Sequence, residues 1–366
     1  MRVAFLYDGP HPMHLAWAQS VGALPVANRF NTRTDAAALE LSEAGRGRAR
    51  GLELLKGISL RTLGLPASSL FQGLVQAVAD MSELEADALI VEGRMGVVPG
   101  HVFKKLRGGR TLLICADPFV WEVRGFPPRW RRTFERILEG YDGIVAVSRM
   151  MLELLPPGAR EKARVVHPSF ESRYSGPTPD PASKKIAYLG AMDERKGVDL
   201  SVRAFREVRA RVPEAQLVLI GKGPLAEVFR DEPGVELAGF VEEPVEHLRK
   251  CSLYIHLARF DPYPVSVLEA MAVGLVPVVS EMTGTKELLE SIDRHLVAPD
   301  PAAAARVIVA LMENSKRIRE LSLMCREAAS CWSRERSIGE FREAFRELIG
   351  EPGSGEGQVT KGGGGR

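Results

Sequence analysis

The run Phe260-Asp261-Pro262-Tyr263-Pro264-Val265-Ser266-Val267-Leu268-Glu269-Ala270-Met271-Ala272-Val273-Gly274 has the residue types and spacing to do chemistry. Its two carboxylates stand eight residues apart, Asp261 in a proline-constrained loop and Glu269 on a helix expected to begin near Val265. A carboxylate accepts hydrogen bonds through both oxygens, so this pair suits the vicinal hydroxyls of a sugar ring and a ribose. The helix N terminus between them, around Pro264 and Val265, leaves backbone N–H groups for a diphosphate. Lys196 stands just before a second expected helix, from Val198, where the helix dipole also favours an anion. A phosphate site and a solvated turn lysine are both open readings there. Gly221-Lys222-Gly223-Pro224-Leu225-Ala226 matches the G-x-G-x-x-G/A pattern of dinucleotide sites. Three features oppose a nicotinamide cofactor. The motif falls at the second strand of its domain, Pro224 stiffens the turn, and the first strand of the chain runs into Asp8-Gly9-Pro10-His11-Pro12 without a glycine triad.

These groups need a scaffold that brings strand ends together. Short β-rich runs at Arg2–Tyr7, Ala88–Val91, Thr111–Cys115, Gly143–Val147 and Arg164–Val166 alternate with helical stretches, which is the rhythm of a parallel sheet covered on both faces. Residues 168–183 hold four prolines and few apolar side chains and read as a linker. The rhythm then restarts at Lys185–Leu189, Gln216–Ile220, Val235–Ala238, Leu253–Leu257 and Val276–Val279. The expected fold class is α/β: two tandem Rossmann-like, doubly wound domains facing a cleft, with a C-terminal helix and a flexible tail. The expected boundaries are a first domain over 1–168, a linker over 169–183, a second domain over 184–333, a helix over 334–349 that could return to the first domain, and a disordered tail over 350–366. Ligands of such sheets bind outside the carboxyl ends of the strands.

Composition agrees with a folded soluble protein: 366 residues, 45% hydrophobic and 26% charged, with a formal net charge of +2. The first 168 residues carry 22 basic and 17 acidic side chains, the remainder 27 and 30. Basic residues cluster as Arg46, Arg48, Arg50, Lys56 and Arg61, and again as Arg124, Arg129, Arg131, Arg132 and Arg136. Such a face suits phosphate or anionic lipid, or is simply solvated; no nucleic-acid motif accompanies it. Gly47–Leu65 mixes four basic residues with leucines and reads either as an interfacial segment or as ordinary surface. No run of about 18 apolar residues is present, and the N terminus lacks a signal-peptide pattern, so a cytoplasmic protein, peripheral to the inner membrane face at most, is expected. The cysteines at 115, 251, 325 and 331 are too scattered for a zinc site or a disulfide framework.

The segment from Asp261 to Val279 resembles the signature of retaining family 4 glycosyltransferases of the GT-B fold, an E-x7-E element followed by A-M-A-x-G-x-P-V-V. The resemblance extends to Thr283-Gly284-Thr285-Lys286-Glu287, Lys196-Gly197, Gly221-x-Gly223-Pro224 and Tyr141-Asp142-Gly143-Ile144-Val145-Ala146-Val147-Ser148. It implies that Glu269 binds the nucleotide ribose, Asp261 the donor sugar and Lys196 the diphosphate. It further implies that the amides of Tyr263 and Val265 approach phosphate or sugar, and that Gly239, Phe240 and Val241 line the base pocket. Gly221 and Gly223 would then either approach the nucleotide or form a structural turn.

The sequence also departs from the family. Gly190 is followed by Ala191 where an arginine is usual, leaving Arg195 as a substitute cation; the family's His-Asp reads Ala116-Asp117; the N-terminal glycine loop reads His11-Pro12-Met13-His14. His14 could contact sugar or phosphate, or only shape its turn. Asp117 could contact the acceptor or sugar, or cap the next turn. The function so implied is transfer of a sugar from a nucleotide diphosphate sugar, as co-substrate, to a hydroxyl of a glycan, lipid-linked or small-molecule acceptor, with no metal or other cofactor required. A nucleotide-sugar-binding protein without transfer, and an epimerase of the same fold, are the alternatives.

Overall fold

The computed structural model describes residues 1–7, 11–27, 81–94, 96–170 and 176–351. The basic, leucine-bearing stretch Gly47–Leu65, the cluster from Arg46 to Arg61, the turn Asp8–Pro10, part of the linker and the tail beyond Glu351 lie outside the described residues.

In the first domain the strands are β1 (Val3–Tyr7), β2 (Leu24–Ala27), β3 (Ala88–Glu92), β4 (Arg110–Cys115), β5 (Gly143–Ala146) and β6 (Ala163–Val165). Its helices are α1 (Pro12–Ser20), α2 (Val97–Arg107), α3 (Phe119–Val123), α4 (Pro128–Glu139), α5 (Arg149–Leu154) and α6 (Pro157–Arg160). The sheet is parallel, in the order β2-β1-β3-β4-β5-β6. The second domain holds β7 (Lys185–Leu189), α7 (Val198–Arg209), β8 (Gln216–Ile220), β9 (Val235–Gly239), α8 (Val245–Leu248) and β10 (Leu253–His256). It continues through α9 (Val265–Val273), β11 (Val276–Ser280), α10 (Lys286–Ile292), β12 (Val297–Ala298), α11 (Pro301–Met312), α12 (Ser315–Ser330) and α13 (Arg334–Ile349). Its sheet is also parallel, in the order β9-β8-β7-β10-β11-β12.

Central strands such as Leu89-Ile90-Val91 and Leu217-Val218-Leu219-Ile220 are buried on both faces, which is why they read as continuous apolar runs. β2 escapes the sequence reading because Pro25 interrupts a four-residue run; it is an edge strand, where a missing N–H is tolerated. β12, two residues long, is equally silent. Behind Gly221–Ala226, where a dinucleotide motif would open a helix, only a 3-10 turn, Glu227–Phe229, follows. Cys115, Cys251 and Cys325 are buried free thiols and Cys331 is exposed.

Helix α13 crosses back to the first domain. The Trp17 indole of α1 stacks on Phe341 at 5.3 Å and donates its N–H to Ser337 Oγ at 2.9 Å. Ser337 in turn donates to the His167 carbonyl at 2.7 Å. Near the end of the helix, Leu348 packs so closely on Gly143 of β5 that a Cβ there would come within 2.7 Å of it. The two domains also meet directly. Ser148 Oγ donates to Pro262 O at 2.9 Å, and the Trp121 ring lies on Phe260 at 5.0 Å with 12° between planes.

Candidate active site

In each sheet the strand order reverses at one place, between β7 and β10 in the second domain and between β1 and β3 in the first. Beyond the carboxyl ends of such strands an open parallel sheet has its crevice. Lys196 follows β7, and both His256, which ends β10, and Asp261 stand beside it. His14 follows β1, and Glu92 ends β3.

Asp261 is the centre of the second-domain group. Lys196 Nζ lies 2.5 Å and His256 Nε2 2.9 Å from the same oxygen, Oδ2, which leaves Oδ1 to another partner. The aspartate is 3% exposed and His256 1%. Burial by itself would push the Asp261 carboxyl up, but the Lys196 charge and the His256 hydrogen bond outweigh it and hold the carboxyl well below the usual carboxylate range. The loop is fixed from behind: Asp261 N–H donates to Met282 O at 2.9 Å, Gly284 N–H to Asp261 O at 2.9 Å, and a Cβ on Gly284 would fall 1.7 Å from Pro262 O. Only glycine fits that crossing.

Two helix N termini point into the same region without a side-chain cap, those of α7 at Gly197 and α9 at Pro264. By contrast α5, α11, α12 and α13 are capped by Ser148, Asp300, Asn314 and Ser333. Gly197 takes a φ of 66° and brings the start of α7 against β10, where a Cβ would sit 1.9 Å from Leu257 O. Lys196 N–H is held by Asp193 Oδ1 at 2.7 Å, and Arg195 Nη1 donates to Phe260 O at 3.3 Å. Glu269, half-buried in α9, lies near enough to the buried Tyr254 hydroxyl for its charge to add to burial in raising the pKa of that hydroxyl, against the Ser266 hydrogen bond. Lys196, Arg195 and Asp261 thus come together ahead of α9, whose first residues are Val265 and, one turn on, Glu269.

Other residues singled out in the sequence have more local roles. Gly190, Gly221 and Gly223 form a close backbone crossing: a Cβ on Gly221 would lie 2.0 Å from Gly190 O, and one on Gly223 2.5 Å from Met192 O. The glycine pair therefore packs against the turn after β7. Gly239 ends β9 and accepts the Gly221 N–H at 2.7 Å. Beyond it Phe240 is 65% exposed, with the Lys222 ammonium 4.9 Å from its ring centre, while Val241 turns back to the core. Tyr263 sends its side chain away from the crevice into the seam between domains, 5.3 Å from His167, so only its backbone faces the α9 N terminus.

On the first-domain side, His14 Nδ1 is 2.5 Å from Glu92 Oε1, both buried. His14 Nε2 and Glu92 Oε2 are buried without a partner. His11 caps α1 through its ring, accepting from Met13 N at 3.3 Å. Burial, then the neighbouring His14, lower its pKa to about 4; Lys196 across the cleft adds to this, against Glu92. Asp117 accepts the Phe119 N–H at 3.0 Å, the turn-capping alternative, and burial raises its pKa. Among the described residues no group of three or more His, Cys, Asp or Glu side chains could hold a metal ion.

Glu92 and His256 are not evident from the sequence reading. Each is a single polar residue closing an apolar strand, and that position is the only signal it leaves.

Residues 183–314 match the family model of glycosyl transferases group 1. The match lies within the second domain, and the chain has the GT-B fold. The matched stretch contains Lys196, His256 and Asp261, which meet, and Glu269 on α9. A glycogen synthase of Anaeromyxobacter sp. is 33% identical over 118 residues, 30% of this chain and 24% of the relative. The chain matches between about a quarter and a half of the length of the curated relatives. Among solved structures, sucrose-phosphate synthase from Thermosynechococcus elongatus superposes with a TM-score of 0.70 at 16% identity, covering 95% of this chain and 99% of the other. HepE of Anabaena, in complex with UDP, superposes with a TM-score of 0.69 at 15% identity, covering 95% and 100%.

Proposed function

We propose that the protein is a retaining glycosyltransferase that uses a nucleotide diphosphate sugar and an acceptor hydroxyl. The observation that carries the reading is the Lys196–Asp261–His256 group beside two uncapped helix N termini, with Glu269 one helix turn farther along α9. In this reading Glu269 accepts the ribose hydroxyls, Asp261 Oδ1 a sugar hydroxyl, and Lys196, Arg195 and the N–H groups at Tyr263 and Val265 the diphosphate. The bond from the anomeric carbon to the phosphate oxygen breaks while the acceptor oxygen bonds to the same face. The acceptor proton passes to the departing phosphate oxygen, so no protein nucleophile is needed. The developing charge on the diphosphate is met by Lys196 and the helix N termini. HepE is a UDP complex, which supports UDP as the first nucleotide to test.

Binding without transfer is favoured by one observation, the use of Asp117 as a cap beside Ala116, where the family carries His-Asp. Thermal shift across UDP, GDP, ADP, CMP and NAD, followed by product analysis with the matching donor sugar, tests both. Ligand-linked stabilisation reaches about 2.7 kcal/mol at a hundredfold excess over Kd. A shift with one nucleoside diphosphate and a glycosylated product with retained anomeric configuration supports transfer. A shift without product supports binding alone, an altered free donor supports epimerisation, and a response to NAD alone overturns the reading.

A lipid-linked acceptor at an anionic membrane surface is supported by α4, which exposes Arg129, Arg131, Arg132 and Arg136, with Arg124 just before it. Among the described residues no helix is long and apolar enough to cross a membrane. Reversing Arg131, Arg132 and Arg136 to Glu should abolish sedimentation with phosphatidylglycerol vesicles; unchanged sedimentation would sink this placement.

A further inference from the structure

The structure assigns His256 as a positioning residue: its neutral imidazole holds Asp261 Oδ2 from below the crevice, so that the carboxylate keeps a donor when Lys196 turns to a phosphate. The assignment rests on the transferase reading for its use, though not for its geometry.

His256 lies between the rings of Tyr188 and Tyr254, at centroid distances of 6.0 and 6.4 Å. The Tyr188 hydroxyl donates to Ala191 O at 2.8 Å, and the Tyr254 hydroxyl stands 3.1 Å from Leu189 O and 3.0 Å from Ser266 Oγ. Both therefore bond elsewhere, and His256 Nδ1 is buried without a partner. A doubly protonated ring would bury an N–H that has no acceptor, at a cost of about 1–3 kcal/mol. Burial, with Lys196 and Arg195 adding to it, disfavours the cation more than Asp261 favours it. An ionised carboxylate only accepts, so the neutral ring must carry its proton on Nε2.

Lys196 Nζ and His256 Nε2 converge on one oxygen from opposite environments, the lysine partly exposed and the histidine enclosed. An arriving diphosphate competes for the lysine alone. Without His256, the buried Oδ2 would then have to surrender its only donor or take up a proton. With it, Asp261 keeps its rotamer and its charge, and Lys196 can serve two anions.

The test uses the full chain. Nitrogen-15 histidine NMR of the unliganded protein should show His256 neutral and protonated on Nε2 from pH 5 to 8; an Nδ1–H tautomer or a cation in that range overturns the assignment. This readout needs no substrate and stands even if the transferase reading fails. In the transfer assay, His256→Leu should lose about tenfold in kcat/KM between pH 8 and pH 5, chiefly through KM for the donor, while His256→Gln, which keeps an N–H, should follow the unsubstituted protein. A Leu variant that melts lower yet keeps the pH profile would make His256 a core residue only and overturn the proposal. If the Leu variant does not fold, the Gln variant and the NMR tautomer decide.

Discussion

His167, two residues past β6, and Glu287, in the first turn of α10, form a hydrogen bond that ties the first sheet domain to the second. Each side chain is 15% exposed, and Glu287 also accepts the Arg149 N–H at 3.2 Å. Glu287 directly follows the Thr283–Lys286 turn that packs behind Asp261, so the seam between domains and the crevice share one loop.

Glu287→Ala should therefore cost about 1–3 kcal/mol, less than the loss of a fully buried partner because some solvent reaches the pair. Urea denaturation at neutral pH measures it. An unchanged midpoint would show that α13, the Ser148–Pro262 contact and the Trp121–Phe260 stack suffice to hold the domains.

Lys196→Ala should lower kcat/KM for transfer on the order of 10²- to 10³-fold, the scale of one lost charge stabiliser. Lys196→Arg should keep part of the activity, since its charge remains while its geometry differs. Equal activity of Ala and native proteins would remove Lys196 from the diphosphate site.

Glu269→Ala should abolish thermal stabilisation by the preferred nucleoside diphosphate while leaving the unliganded melting temperature within a few degrees. Persistence of the ligand shift would move the ribose contact elsewhere.

Asp261 and His11 contribute to the pH dependence of stability with the same sign. The Asp261 carboxyl is held below its unfolded value, so its contribution is complete above about pH 4 and is lost as pH falls below that. His11 is held neutral with a pKa of about 4, so between roughly pH 6.5 and 4 the unfolded chain takes up a proton that the folded protein refuses. Stability should fall on acidification through that window, and His11→Asn should flatten the slope there. An unaltered slope between pH 6.5 and 4 in that variant would count against the burial of His11.

Gly221→Ala places a Cβ 2.0 Å from Gly190 O at a φ of 137° and should destabilise by about 1–3 kcal/mol or more. Gly339→Ala, in α13 with nothing within 4 Å, should stabilise by roughly 0.5–1 kcal/mol. Calorimetry of the two variants, run together, separates close backbone packing from ordinary helix propensity.

The alternation of strands and helices, and the crevice side of each sheet, are legible because parallel strands buried on both faces leave long apolar runs and their ends must carry the polar residues. Asp261, Glu269 and Lys196 could be singled out because a proline-bounded loop and two helix starts are local patterns. The α13 start at Arg334 is equally local, and Ser333 caps it.

Other features required the folded chain. Whether Gly221–Ala226 grips a ligand or its own backbone depends on how close β7 and β8 bring two turns, and period and composition do not encode that distance. Glu92 with His14 and His256 with Asp261 are contacts between strand ends that only the order β1-β3 and β7-β10 makes neighbours. The direction of the Tyr263 side chain follows from His167 and Trp332 in the seam. The sequence by itself determined the two sheets and the residue types at their ends, since burial and helix capping act within a few residues. Which of those ends meet, which oxygen Lys196 and His256 share, and how α13 closes on Trp17 were decided by tertiary packing, where residues hundreds of positions apart become partners.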